Sequence, residues 1–178
     1  MLGLIKQQER SKSLLALYNF LLLEPSGARA NQAYNKILAM HKIGVEVVDD
    51  KNITVTIGGM NDDNEFSAAE MMLSLMEASK SMEENKGKSD FELFSENTKS
   101  FFTVLGELKA NEKHKGFWWD YYVTFFYSIA KDADMYDAYI NYISKDMNYT
   151  AVNTWLQNNQ AKVDKMLDWT ESYEHQQN

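Results

Sequence analysis

The sequence predicts a mainly α protein, an irregular bundle or short solenoid of antiparallel α-hairpins with one β-hairpin at about residues 45–57. Three observations carry that expectation. A single proline, Pro25, interrupts 178 residues, so almost no position forbids a helical backbone. Apolar residues recur at helical spacing in most stretches between turn signals. One segment alone, VEVVDDKNITVTI, has the two-residue alternation of strands.

The elements follow in chain order. From about Gln7 to Leu23, Leu14, Leu17, Tyr18 and Leu21 share one helical side, and EPSG stops the run. A second helix, about Ala28 to Lys42, sets Ala30, Ala33, Tyr34 and Ile37 on one face. So short a connection makes the two an antiparallel α-hairpin. In the β segment Val45 and Val47 flank Glu46, and Ile53, Val55 and Ile57 alternate with Thr54 and Thr56, with DDKN as the turn. A lone hairpin is marginal in water, so it must rest on helices or pair its edge with another chain.

Ser67 and Glu70 have capping-box spacing, with Phe66 and Met71 placed for a hydrophobic staple, and a helix is expected from near Ala68. Met72, Leu75, Met76 and Met82 are expected to face inward, and Glu70, Ser74, Glu77, Ser81 and Glu84 to form a solvated stripe. Ser89 and Glu92 repeat the capping box before a helix bearing Phe94, Phe101, Leu105 and Leu108.

The stretch KGFWWDYYVTFFYSIAKDADMYDAYINYI holds eight aromatic residues in the eleven positions from Phe117 to Tyr127. At helical period Asp120, Thr124, Ser128 and Lys131 form one narrow polar stripe and the rest is apolar, the pattern of a centrally placed helix. The residues also alternate as in a strand, but the run outlasts ordinary strands. A bilayer-spanning helix needs about 20 apolar residues, and Asp120 and Lys131 cut this run short. Further on, Asp134 is placed to cap a helix from Met135 to Ser144, and Thr150 to cap AVNTWLQNN. The last helix, about Gln160 to Tyr173, turns Val163, Met166, Leu167 and Trp169 toward the body.

Such a succession of short helix pairs resembles the tetratricopeptide-repeat class, most specifically at Leu14, Leu17, Tyr18, Leu21, Ala30, Tyr34 and Ile37. Tyr18 stands where the repeat has a small residue, the terminal proline is missing, and the β-hairpin has no counterpart. The later aromatic segment is also similar to C-terminal parts of uncharacterised bacterial helical proteins. What the first resemblance implies is binding of a peptide or protein, with no catalysis.

A length of 178 residues suits one domain, 1–178, with one buried core. The formal net charge of −8 repels phosphate backbones and anionic lipid, so neither nucleic acid nor a membrane is the expected partner. Cysteine is absent, which removes thiolate nucleophiles, disulfides and Cys-type zinc sites. The apolar N-terminal run reads better as an amphipathic helix than as a leader, since Glu9 and the polar interruption Asn19 break it.

Catalytic motifs are sparse. His41, His114 and His175 lie far apart, and no frame puts two imidazoles on one helix face. Neither a G-x-S-x-G elbow nor a phosphate loop occurs; in TIGGMNDDNE the acids Asp62, Asp63 and Glu65 would repel a phosphate. For calcium, an EF-hand loop started at Asn61 would put Met72 where a bidentate acid belongs. Glu70, Glu77 and Glu84 are spaced about 10 Å apart along a helix, too far to share a proton. Asp120 is the acid to watch, because its neighbours are aromatic: buried it would have a raised pKa, and at the edge of the polar stripe it would simply meet water.

The candidate binding residues are therefore Trp118, Trp119, Asp120, Tyr121, Tyr122 and Trp155, aromatic area with polar tips around one acid. No cofactor, metal or catalytic residue is implied. The expected function is a protein- or peptide-binding module. Its alternatives are a small-molecule or hydrolytic pocket around Asp120, and an acidic inhibitor or immunity-type protein.

Overall fold

The computed structural model describes residues 10–49, 52–56, 65–111 and 114–177. Within them lie α1 (Arg10–Leu23), α2 (Ala28–His41), β1 (Val45–Asp49), β2 (Asn52–Val55), α3 (Ser67–Ser79), α4 (Asp90–Asn111), α5 (Thr124–Lys131), α6 (Ala133–Ile143), α7 (Thr150–Asn158) and α8 (Gln160–Gln177). A 3₁₀ turn (Glu83–Asn85) and a π-helical turn (Trp118–Val123) complete the described elements. The chain is mainly α with one β-hairpin.

The first α-hairpin forms as its periodicity predicts: Leu14, Tyr18, Leu21, Ala30, Ala33, Tyr34 and Ile37 are buried, and Leu17 lies at the rim. Gly27, at φ 96°, supplies the left-handed residue before α2, and its amide donates to Asp146 Oδ2 at 2.6 Å. In the sheet Val45 pairs with Val55 and Glu46 with Thr54, in antiparallel register, with an irregularity between Val47 and Asp49. The hairpin rests on α3, which answers its need for a helical support. At its base Gly44 is required: φ is 81°, and a Cβ there would meet the Thr56 carbonyl oxygen at 2.6 Å.

The core is one contiguous aromatic-rich cluster. Tyr18 packs edge-on against Phe102 at 5.0 Å and Phe126 at 6.2 Å, and Phe102 stacks on Phe126 at 4.5 Å. Tyr139 donates its hydroxyl to the Tyr18 carbonyl at 3.2 Å. Helices α1, α4, α5 and α6 thus meet through ring contacts, each buried ring contributing roughly 1.5–3 kcal/mol. Gly106 lets α4 and α5 approach, because a Cβ there would fall 2.1 Å from the Tyr127 ring.

Helix α3 corrects the expected face. Ala69, Glu70, Leu73, Ser74, Glu77 and Ala78 are buried, whereas Leu75 and Met82 are exposed and Met72 and Met76 only partly covered. The reason is the start of α1, which brings a buried guanidinium to the polar stripe. Arg10 donates to Ser74 Oγ at 2.9 Å, to the Glu70 carbonyl at 3.3 Å and to the His41 carbonyl at 2.9 Å. Glu70 Oε1 accepts the Ser11 amide at 2.9 Å and hydroxyl at 3.0 Å. Glu77 pairs with Lys80 at 2.6 Å and accepts from Asn97 at 3.3 Å. Buried carboxylates with such partners escape most of their desolvation penalty.

Three helix starts differ from expectation for the same kind of reason. Ser67 makes no capping bond, because the Glu70 carboxylate is turned to Ser11, and Phe66 occupies the cap position. Asp132, not Asp134, caps α6, accepting the Met135 amide at 3.0 Å; Asp134 instead reaches Lys162 of α8 at 2.7 Å. Thr150 opens α7 from inside, and the capping position, held by Tyr149, has no side-chain bond. The second capping box forms as predicted, Ser89 and Glu92 exchanging bonds of 2.7 and 3.2 Å. Residues 1–9, the end of the expected second strand at Ile57, and the glycine and acid turn with Asn61, Asp62 and Asp63 lie outside the described residues.

Candidate functional site

The aromatic stretch is helical, but its first turns are wider than an α-helix. Over Trp118–Val123 the π-helical winding leaves the Trp119 carbonyl open to side chains, and it accepts the Lys109 ammonium at 2.8 Å and the Thr124 hydroxyl at 3.0 Å. Such insertions interrupt the ordinary hydrogen-bond ladder and are frequent where a helix serves a binding site. Gly116, at φ 101°, turns the chain into this segment, and its amide donates to Asp120 Oδ2 at 2.8 Å.

Two faces result. Inward, Trp119 is buried in a ring sandwich: Phe66 stacks on one side at 4.6 Å and His114 lies almost parallel at 4.2 Å. His114 Nδ1 also lies 3.8 Å from Glu65. Outward, Phe117 is 64% exposed, the largest bare aromatic surface among the described residues. Around it sit the half-buried rings of Trp118, Tyr121 and Tyr122: Phe117 stands edge-on to Trp118 at 5.6 Å and to Tyr122 at 5.4 Å, and runs parallel to Tyr121 at 5.8 Å. Trp118 stacks on Tyr122 at 5.2 Å. The cluster continues through Tyr121 to Phe125, Trp169 and Tyr173, tying the patch to α8. Rings braced on one another lose little side-chain freedom when a partner covers them.

Asp120 lies beside this patch at the surface, its side chain 57% exposed and 2.6 Å from Lys109 Nζ. The Lys109 ammonium, and then the Gly116 amide, hold its carboxyl below the usual carboxylate range. Its position is the solvent edge of the polar stripe, and its charge is already compensated. Of the predicted residues, the fold brings Trp118, Tyr121 and Tyr122 into one patch with Asp120 at its margin. Trp119 goes to the core. Trp155 is half-buried on α7 and joins none of these ring contacts.

Phe117, Trp169 and Tyr173 belong to the patch without having been among the predicted site residues. Phe117 follows a glycine at a helix start, a position commonly outside the core, and that was the available signal. Trp169 and Tyr173, four apart on α8, had no local signal pointing to a segment some fifty residues earlier.

His41 is buried, and desolvation lowers its pKa to about 3. The His175 side chain lies outside the described residues. Among the described residues no cluster of acids and histidines has metal-binding geometry, and no helix is long and apolar enough to cross a membrane. A cleft of about 170 Å³ between α6 and α8 is lined by Asp132, Asp134, Met135, Lys162, Lys165 and Met166, with the Asp134–Lys162 ion pair in its wall.

Compared with family models, curated proteins and solved structures, the chain matches none.

Proposed function

We propose that this chain is a non-enzymatic interaction module that recognises a protein or peptide through the face formed by Phe117, Trp118, Tyr121 and Tyr122. The observation that carries this reading is the exposure of Phe117 within a braced ring cluster. Exposed aromatic area is retained at a cost in solubility, and Trp and Tyr dominate binding hot spots because they combine large area with few rotamers. The resemblance of the first hairpin to a peptide-binding repeat points the same way.

A small-molecule or hydrolytic pocket centred on Asp120 has less support, since general acid or base work favours a desolvated carboxyl and this one is exposed and paired with Lys109. An inhibitor-type role is a special case of the same reading, in which the partner is basic and meets a chain of net charge −8.

The test places a photo-crosslinking amino acid at position 117 in the native host, with position 83, on an 87% exposed glutamate, as the control. One recurrent protein adduct from position 117 and none from 83 is the expected result. Equal, diffuse labelling from both positions rejects the aromatic face as a docking surface.

A further inference from the structure

A second surface differs from the aromatic face in charge. Residues 10–42, which make up α1 and α2, contain Arg10, Lys12, Arg29, Lys36 and Lys42 but only one acid, Glu24, on a chain whose net charge is −8. Arg10 is buried and Lys12 lies over the Phe66 ring, which leaves Arg29 and Lys36 as the cations on the outer side of the hairpin. The outer side of this hairpin carries an open groove of about 300 Å³ with Leu17, Phe20 and Ala33 as its apolar lining and Arg29, Gln32 and Lys36 along it. Arg29 sits over the Phe20 ring at 5.2 Å and reaches Glu24 at 3.2 Å, and Leu23, one turn beyond Phe20, is 67% exposed.

From this segregation we infer that the α1–α2 groove docks an acidic amphipathic helix of a partner protein. Leu17, Phe20 and Leu23 offer apolar contacts at helical spacing to the apolar stripe of the incoming helix. Arg29 and Lys36 meet carboxylates on its flanks, and Arg29 exchanges Glu24 for one of them. A peptide in this groove lies within a Debye length of Arg29 and Lys36, about 8 Å in physiological salt, so these two cations act on it more strongly than the molecule's mean charge. An extended anionic membrane would feel the whole acidic molecule, which disfavours lipid as the occupant. The proposal does not depend on the Phe117 face.

The test pans a displayed library of helical peptides, about 16 residues long, against the intact protein, and then measures the enriched peptides on wild type and on the Arg29→Glu/Lys36→Glu double variant. Both changed positions are exposed, and circular dichroism checks that the variant is folded. The expected winners carry Leu, Ile or Phe at i, i+3 and i+7 with Glu or Asp beside them. Each should bind the variant about tenfold or more weakly, since each reversal turns an attraction into a repulsion. Amide shift changes in labelled wild type should centre on residues 14–39. Enrichment of neutral or basic sequences, no enrichment, affinities within about twofold on the variant, or shifts centred elsewhere overturns the proposal. So does flotation of the wild type, and not the variant, with phosphatidylserine vesicles, or a wild-type dimer that the double variant dissociates; those results would make the occupant lipid or a second copy.

Discussion

The Tyr18 hydroxyl lies 2.9 Å from His41 Nε2 and 2.9 Å from Thr98 Oγ1, so one phenol joins α1, α2 and α4 inside the core. Burial raises the Tyr18 pKa and depresses that of His41, and both groups are neutral at pH 7.

This relationship sets a pH dependence. The His41 pKa falls from 6.5 unfolded to about 3 folded, so between those values the unfolded chain binds the extra proton. Stability from this group is therefore complete above pH 6.5 and is lost as pH falls toward 3. At pH 4.5 the loss should be on the order of 2–3 kcal/mol, at about 1.4 kcal/mol per pH unit. Urea unfolding of wild type and His41→Leu at pH 7 and 4.5 checks it: the difference in stability between the two proteins should shift toward the variant by that amount. Parallel loss in both proteins would show that His41 takes up its proton without unfolding.

The two S-x-x-E stretches should respond in opposite ways. Ser89→Ala removes a formed cap and should cost about 1 kcal/mol, whereas Ser67→Ala removes no capping bond and should change stability by less than about 0.5 kcal/mol. Chemical denaturation of both variants measures this. Equal losses would mean that α3 is capped by Ser67 after all.

Removing the guanidinium beneath α3 should be severe. Arg10→Met removes the donor shared by the Ser74 hydroxyl and the Glu70 and His41 carbonyls, and takes away a buried positive charge that interacts with Glu70 and Glu77. The expected loss is on the order of 3 kcal/mol, and Glu70→Ala in the Arg10→Met background should cost far less than alone. Additive losses would indicate that the two residues act separately.

Gly106→Ala should destabilise by about 1–3 kcal/mol through overpacking, since the new methyl group enters the space of the Tyr127 ring. Tyr127→Ala should relieve most of that penalty in the double variant. Thermal unfolding of the four proteins of this cycle checks it, and a penalty unchanged by Tyr127→Ala would place the cost in the α4 backbone.

Much of the fold was legible because its causes are local. Helical period, the Pro25 break, the Ser89–Glu92 box and the alternating valines and threonines all act within a few residues, and each produced the expected element. The faces of α3 were not legible. Its carboxylates read as solvated because burying them needs donors, and for Glu70 the donor is Ser11, about sixty residues away, while Glu77 uses Lys80 and, from α4, Asn97. Spacing pointed to Asp134 as the cap of α6; the helix instead begins at Ala133, Asp132 caps it, and Asp134 pairs with Lys162 of α8.

The site divides along the same line. The sequence by itself led to a packed helix for the aromatic run interrupted by Asp120, and it offered Trp118, Trp119, Asp120, Tyr121, Tyr122 and Trp155 as site candidates without sorting one from another. Tertiary structure alone decided that Trp119 is enclosed by Phe66 and His114, that Phe117 remains bare, that Lys109 neutralises Asp120, and that α8 completes the patch. Periodicity says which residues share a side of a helix; which side meets water depends on the neighbours brought to it and on whether they satisfy its polar groups.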